Sequence, residues 1–367
     1  MEKTNIGIIG CGSISGAYLD AHKRFDVLDI VACADLDMDR ARAKADQFGI
    51  PRACSVPELL AMDDIRIVVN LTIPGAHAEI AMATLEAGKH AYSEKPFAVT
   101  REDGARILKL ANEKGLRVGC APDTFLGGGG QTARKIIDDG WIGTPIAASA
   151  HMMSHGHESW HPDPEFYYKA GGGPMFDMGP YYLTALVNLL GPVQRLTGSA
   201  STTFKQRTIT SEPKYGTVID VDVPTHVTGI MQFSSGAVGT ITTTFDVWAT
   251  NLPGIEIYGT EGTLGVPNPN GFGGVAHVRR ADAEEWTAMP LSHGYTEQNR
   301  GIGVADMAYA IRSGRPHRAT GQLAMHVLDI MQSFVEASDQ GEYIELTTGC
   351  PRPAMLPVGL LAGKLDE

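Results

Sequence analysis

The sequence predicts an α/β domain, a doubly wound parallel sheet, followed by an α+β domain with a large, mainly antiparallel open sheet. Three observations carry this expectation. A short apolar run, Asn5 to Ile9, leads directly into Gly10-Cys11-Gly12. Strand-like and helix-like stretches then alternate as far as Cys120, the pattern of βαβ units. Beyond Asp123 the alternation stops, and strand-like stretches follow one another with turn residues between them. The 367 residues suffice for two domains, at about 150 residues each. The division is placed at 1–122 and 123–367.

In the first domain, Gly10-Cys11-Gly12-Ser13-Ile14-Ser15 is a G-x-G-x-x-S form of the dinucleotide fingerprint. Gly10 permits a tight strand-to-helix turn, Gly12 lets the backbone approach a pyrophosphate, and Ser15 and Gly16 leave room for helix packing. A helix over Ser13 to Phe25 would aim its first amides, near Ser13 and Ile14, at a diphosphate. A second strand, Leu28 to Ala34, ends at Asp35, where an acidic residue meets ribose hydroxyls. A carboxylate there favours NAD over NADP, although Arg40 and Arg42 nearby leave NADP open. Asp39 to Phe48 reads as a helix closed by Gly49, Val56 to Met62 as a short helix, and Ile65 to Ile73 as an apolar strand. A helix from Ala76 to Ala87 stops at Gly88. His90 to Ser93 is a strand, Thr100-Arg-Glu-Asp103 resembles a capping box opening a helix to Lys114, and Leu116 to Cys120 is the last strand. This is a Rossmann-type sheet, with ligands expected at the carboxyl ends of its strands.

In the second domain, Gly127 to Gly130 reads as a flexible loop before a helix from Gln131 to Asp139. Strands are expected at Ile146 to Met153, Gln194 to Thr203, Thr225 to Phe233, Ala237 to Phe245 and Gly254 to Tyr258, with Ser234-Ser235-Gly236 as a hairpin turn. Tyr181 to Leu190, Met307 to Arg312 and Gln322 to Ala337 read as helices, the last two packed near the domain junction.

Composition excludes several classes. Net charge is -12 with no run of one sign, which argues against a nucleic-acid partner. No apolar stretch approaches the length of about 18 residues that marks a membrane span. The five cysteines are scattered and lack metal-type spacing. With no signal-like hydrophobic region before the first strand, a cytoplasmic protein is expected.

At Ser93-Glu94-Lys95-Pro96 the chain resembles the Gfo/Idh/MocA family: glucose-fructose oxidoreductase, inositol dehydrogenase and rhizopine-catabolism relatives. Pro74 and His77, Gly171-Gly172-Gly173 leading to Asp177 and Gly179, and Tyr258-Gly-Thr-Glu-Gly-Thr263 continue the match in order along nearly the whole chain. The resemblance implies an oxidoreductase using NAD, with NADP open, on a sugar, cyclitol or related polyol. It implies that Lys95 sits beside the nicotinamide and the reacting substrate oxygen, where an ammonium stabilises alkoxide character and lowers the pKa of a neighbouring acid-base group. Thr72, Pro74, His77 and Glu94 join the cofactor set, Glu94 positioning cofactor or lysine. Pro96 fixes the turn, with either peptide isomer open. By analogy, the open sheet face makes a homo-oligomer, a dimer or tetramer.

The family usually has Asp-x-Gly-x-His where this chain has Asp177-Met178-Gly179-Pro180-Tyr181. Three proton carriers stay open: Tyr181 with its pKa depressed by Lys95, a histidine from His151, His155, His157 or His161, or solvent with Tyr181 packing on the sugar. His155, Trp160 and His161 are expected to line the substrate pocket, with Asp123 orienting hydroxyls. Phe166 and Tyr168 are expected in the core. His155-x-His157 invites a metal reading, but the chemistry needs none and no metal is expected. Redox-assisted glycoside cleavage and nucleotide sensing without catalysis are the alternative functions.

Overall fold

The computed structural model describes residues 2–366. The first sheet is built from β1 (Thr4–Ile9), β2 (Leu28–Ala34), β3 (Arg52–Cys54), β4 (Ile67–Asn70), β5 (His90–Ser93) and β6 (Val118–Cys120). Helices α1 (Ser15–Leu19), α2 (Ala21–Arg24), α3 (Met38–Phe48), α4 (Val56–Leu60), α5 (His77–Glu86) and α6 (Arg101–Glu113) connect its strands. All its pairings are parallel, in the order β3-β2-β1-β4-β5-β6. The order reverses between β1 and β4, the switch point where such sheets bind ligands at their carboxyl ends. The single helix expected from Ser13 to Phe25 is two short ones joined at Asp20. Strand β3, only three residues long, has no sequence pattern and was not expected.

The second layer starts with α7 (Gly128–Asp138) and β7 (Pro145–Met153), then α8 (Gly173–Asp177), α9 (Gly179–Leu190) and β8 (Val193–Ser201). A small ribbon follows, β9 (Gln206–Thr208) paired with β10 (Val218–Asp220). The sheet continues through β11 (His226–Phe233), β12 (Val238–Thr244), β13 (Ile255–Gly259), β14 (Gly262–Val266), β15 (His277–Arg280) and β16 (Thr287–Ala288). After α10 (Ile302–Ser313) and α11 (Gly321–Gln340), β17 (Ile344–Glu345) completes it. These nine strands lie in the order β16-β15-β14-β13-β7-β12-β11-β8-β17, antiparallel except where β7 meets β12. The strand expectations from β7 to β13 hold to within two residues, and the turn at 234–236 closes with Phe233 N–H on the Ala237 carbonyl at 2.9 Å.

Gly128 to Gly130 form the first turn of α7 rather than a flexible loop. A Cβ at Gly127 would lie 2.3 Å from the Phe272 carbonyl, and one at Gly129 2.2 Å from the Gly273 carbonyl. The glycines are there because another backbone crosses them at contact distance.

Helices α9 and α11 cover one face of the large sheet; α10 and α11 also pack on β6 of the first. Arg101 reinforces this junction, reaching Asp329 at 2.5 Å, Ser333 at 2.6 Å and, beyond them, Glu336. All five cysteines are buried and unpaired.

Candidate active site

The glycine loop after β1 is fixed by backbone constraints. Gly10 has φ +100°, and a Cβ there would lie 2.7 Å from the Leu71 carbonyl carbon, against the loop that follows β4. A Cβ on Gly12 would meet nothing within 4 Å, so the loop presents bare backbone to open space. Ser15 locks the turn by donating to the Gly12 carbonyl at 2.7 Å, which leaves Ser13 exposed and Ile14 half-buried. At the end of β2, Asp35 accepts from Cys11 N–H at 2.8 Å and from Asp37 N–H at 2.9 Å. Asp37, not Asp35, caps α3. Two apolar side chains stand bare on this edge: Leu36 is 98% and Ile73 75% exposed, flanking the groove after β2 and β4. Exposed apolar side chains beside a glycine-bare loop and a carboxylate at the end of β2 fit an adenine dinucleotide.

Thr72 and Pro74 follow β4 on the same edge; the Thr72 hydroxyl is tied to the Asn70 side chain at 2.7 Å. His77 departs from the expectation of a cofactor contact. It is buried, with Nδ1 2.7 Å from the Pro96 carbonyl and Nε2 3.0 Å from the Thr72 carbonyl. Burial pushes its pKa down while the two carbonyls, which only accept, pull the other way, and the ring sits between the loops after β4 and β5.

Lys95 leaves the end of β5 through a cis Lys95–Pro96 peptide. Its Nζ donates to the Asp177 carboxylate and to the Asp177 backbone carbonyl, both at 2.7 Å. Asp177 is the last residue of α8, and Tyr181 lies in the first turn of α9, so the break at Met178 brings both to Lys95. Burial opposes charge on Lys95, but Asp177, Tyr181 and Glu94 together outweigh it and hold the ammonium pKa above its ordinary value. Burial likewise opposes charge on Asp177, and Lys95 with His157 overcomes it, leaving the carboxyl at about 2. His157 Nε2 lies 3.4 Å from the second Asp177 oxygen, and its ring stacks on Tyr167 at 3.8 Å.

The expected depression of the Tyr181 pKa does not occur. Burial raises it, and the lowering by Lys95, whose Nζ lies 5.5 Å from the ring centre, is smaller. The Tyr181 hydroxyl oxygen accepts from Arg300 Nη2 at 3.2 Å. Arg300 Nη1 sits 3.8 Å from Glu94, which accepts from the Tyr18 hydroxyl at 2.8 Å and from its neighbour Lys95 N–H at 3.0 Å.

Asp123 is a second departure. It is completely buried, and its Oδ2 accepts from Gly301 N–H at 3.1 Å and Gly303 N–H at 3.0 Å, at the start of α10. Burial pushes its pKa up to about 6. Its carboxylate anchors the loop that carries Arg300. Of the expected wall residues, the Trp160 ring centre lies 5.1 Å from that of His157, and His161 lies 5.4 Å from Trp160 and 5.3 Å from Tyr167. His155 instead stacks on Trp248 at 3.4 Å. Tyr168 is in the core as expected, whereas Phe166 is half exposed, packed across Tyr167 at the rim. Among the described residues no group of three or more His, Cys, Asp or Glu is placed to hold a metal ion.

Sequence reasoning missed Arg300, Tyr18 and the Leu36–Ile73 pair, and it left His157 undistinguished among four histidines. No local pattern marks Arg300; it comes 119 residues after its partner Tyr181.

Two family models match the chain. One, described as the oxidoreductase family with an NAD-binding Rossmann fold, matches residues 4–121; the other, the GFO/IDH/MocA C-terminal domain, matches 131–265. The 1,5-anhydro-D-fructose reductase of Ensifer adhaerens is 27% identical, over 94% of this chain and 98% of its own length. The levoglucosan dehydrogenase of Pseudarthrobacter phenanthrenivorans is 27% identical over 72% of this chain and 73% of its own. Among solved structures, an apo levoglucosan dehydrogenase superposes with a TM-score of 0.82 at 24% identity, covering 95% of this chain and all of that one. The ordered motifs, the two sheets and these matches agree: the chain belongs to the Gfo/Idh/MocA family of oxidoreductases, with an NAD-binding Rossmann domain at its N-terminus.

Proposed function

We propose that the protein interconverts a secondary alcohol and a ketone on a sugar, cyclitol or related polyol, using NAD. The observation that carries this reading is the Lys95–Asp177 pair, fixed at 2.7 Å where the carboxyl ends of the Rossmann strands meet the second domain. NAD bound at the glycine loop supplies the hydride acceptor or donor. Gly10, Gly12, Ser13, Ile14, Asp35, Thr72, Pro74 and Glu94 would hold it, the Asp35 carboxylate favouring NAD over NADP. Lys95 stays charged and stabilises negative charge on the reacting oxygen. Tyr181 stays protonated at neutral pH because burial raises its pKa. Arg300 donates to one lone pair of its hydroxyl oxygen, which leaves the Tyr181 proton free to point at a substrate carbonyl in the reducing direction. His157, on Asp177, is the other candidate for the proton, and Trp160 and His161 form the sugar-facing wall. The named activities of the relatives, an anhydrofructose reductase and a levoglucosan dehydrogenase, support carbohydrate as the substrate class. Bare Ile146, Ile230 and Val238 on the large sheet support assembly as a dimer or tetramer, and five unpaired thiols support a cytoplasmic setting.

The test is NADH formation or consumption, followed by its near-ultraviolet absorbance, with a panel of aldoses, ketoses, inositols and anhydrosugars. Turnover that disappears in Lys95→Met supports the reading. Cofactor that remains bound and unreduced while an aglycone is released would replace it with redox-assisted glycoside cleavage.

A further inference from the structure

Behind the histidine that touches Asp177 lies a second cavity of about 500 Å³ that none of the site residues above explains, apart from His155. The segment 155–159 forms the partition. His157 faces Asp177, while His155, Glu158 and Ser159 line the cavity on either side of it. Three residues of chain span at most about 10 Å, so the cavity wall at His155 lies within that distance of the histidine on Asp177.

The lining has two parts. One is aromatic: Trp248 is 82% exposed, although it is stacked face to face on His155 at 3.4 Å, and Phe204 closes the same side edge-on to His155 at 6.2 Å. The other is polar and rigid. Arg207, with its side chain only 4% exposed, is held by Glu158 at 2.7 Å, by the Phe245 carbonyl at 2.8 Å and by Asp246. Yet Arg207 Nε has no hydrogen-bond partner, and neither has His155 Nδ1, although both atoms are buried. Buried polar atoms are nearly always paired, so two orphans on one cavity mark a place where a ligand or its water belongs. The hydroxyl-bearing and amide side chains of Thr210 and Gln206 are close by on the same wall. An indole with one face on His155 and the rest exposed, beside hydroxyl and amide side chains, suits a sugar ring. Such a ring offers polarised C–H bonds on its face, attracted by the negative face of an aromatic ring, and hydroxyls around its edge. The cavity volume lies within the usual range of small-ligand pockets.

We infer that this cavity is a second glycosyl subsite, and that the substrate is a glycoside or disaccharide. One ring is oxidised or reduced at Lys95, and the neighbouring ring stacks on Trp248. The inference rests on the reading of the Lys95 site as a carbohydrate oxidoreductase centre, and its test separates the two.

For the sugar that turns over in the panel, kcat/KM is compared between that monosaccharide and its glucosyl glycosides, in the wild type and in Trp248→Ala and Trp248→Phe. The wild type is expected to have a KM at least about tenfold lower for one glycoside, 1.4 kcal/mol in binding. Trp248→Ala should remove that advantage without changing the monosaccharide's constants, and Trp248→Phe should keep part of it. Equal effects on both substrates, or no glycoside preference, overturn the subsite. A change of oligomeric state in Trp248→Ala by sedimentation velocity also overturns it, because the indole would then be seating a second copy of the chain. If no sugar turns over, calorimetric titration of the full-length protein with maltose, cellobiose and lactose decides independently. Binding lost in Trp248→Ala keeps the subsite while the catalytic reading fails; no binding by any of the three overturns the subsite as well.

Discussion

The two walls of the cleft are built by different means. On the Rossmann side, backbone does the work: Gly10, Cys11 and Gly12 are consecutive, and their shape follows from φ angles and the close approach of Leu71. On the substrate side, side chains do it. Lys95, reaching across from the end of β5, His157, the Asp177–Tyr181 turn and Arg300 come from four separate places in the chain and are held by ion pairs and hydrogen bonds to one another. A site made of backbone is tolerant of side-chain change and intolerant of added volume. A site made of charges is the reverse, because removing one partner leaves another buried and unpaired.

Substitutions on the two walls can break or sharpen this contrast. Lys95→Met is expected to have the largest effect, a loss of about 10³-fold in kcat/KM with NAD affinity by fluorescence titration nearly unchanged. Equal loss of NAD binding would show that the walls are not independent. Tyr181→Phe should lower the reduction rate by ~10²-fold. Because burial holds the Tyr181 pKa above 10, its protonated form persists through neutral and mildly alkaline pH, and the wild-type reduction rate should show no fall there on its account. A steep alkaline loss that vanishes in Tyr181→Phe would contradict this. Gly12→Val, placed in open space, should leave the melting temperature alone while weakening NAD by roughly tenfold or more, about 1.4 kcal/mol. Gly10→Ala should do the opposite first, costing about 1–3 kcal/mol of stability through its positive φ and its clash with Leu71.

The smallest effect tests Asp123. Its folded pKa of about 6 lies above its ordinary 3.8, so the folded state binds the proton more tightly than the unfolded state. Stability on its account is therefore greatest below about pH 4 and declines as pH rises through about 6. Asp123→Asn keeps an acceptor for the Gly301 and Gly303 amides without the charge. Its melting temperature relative to wild type should rise between pH 5 and pH 8, with KM for sugar unchanged. A raised KM would return Asp123 to the substrate.

The same contrast explains what was legible in the sequence. Apart from β3 and the break at Asp20, the helices and strands of the first sheet were readable from periodicity and glycine stops, and β5 from His90 to Ser93 was read to the residue. Lys95 and Asp177 were readable because each sits in a short motif. Arg300 was not, since an isolated arginine before a helix carries no pattern, and its role appears only when α10 folds back beneath β6. Nor was the choice of His157 over His155 readable: two residues apart, their rings turn to opposite sides of one short segment, toward Asp177 and toward Trp248. Asp123 misled because its position in the chain is adjacent to the cofactor edge while its carboxylate points back into the protein. The glycines of 127–130 misled because composition alone does not distinguish mobility from tight backbone crossing.

The dinucleotide-binding sheet is contiguous from β1 to β6, yet α10 and α11 from the far end of the chain dock against its last strand. A Cβ on Gly119, in the middle of β6, would lie 2.6 Å from Met307 of α10, and Gly119 pairs with Thr320 just before α11. A fragment ending at residue 122 would expose this seam to water, whereas a chimera that exchanges substrate domains would need to carry the two late helices along with its Rossmann half. With this seam shared between the two sheets, heat should melt both in a single cooperative step.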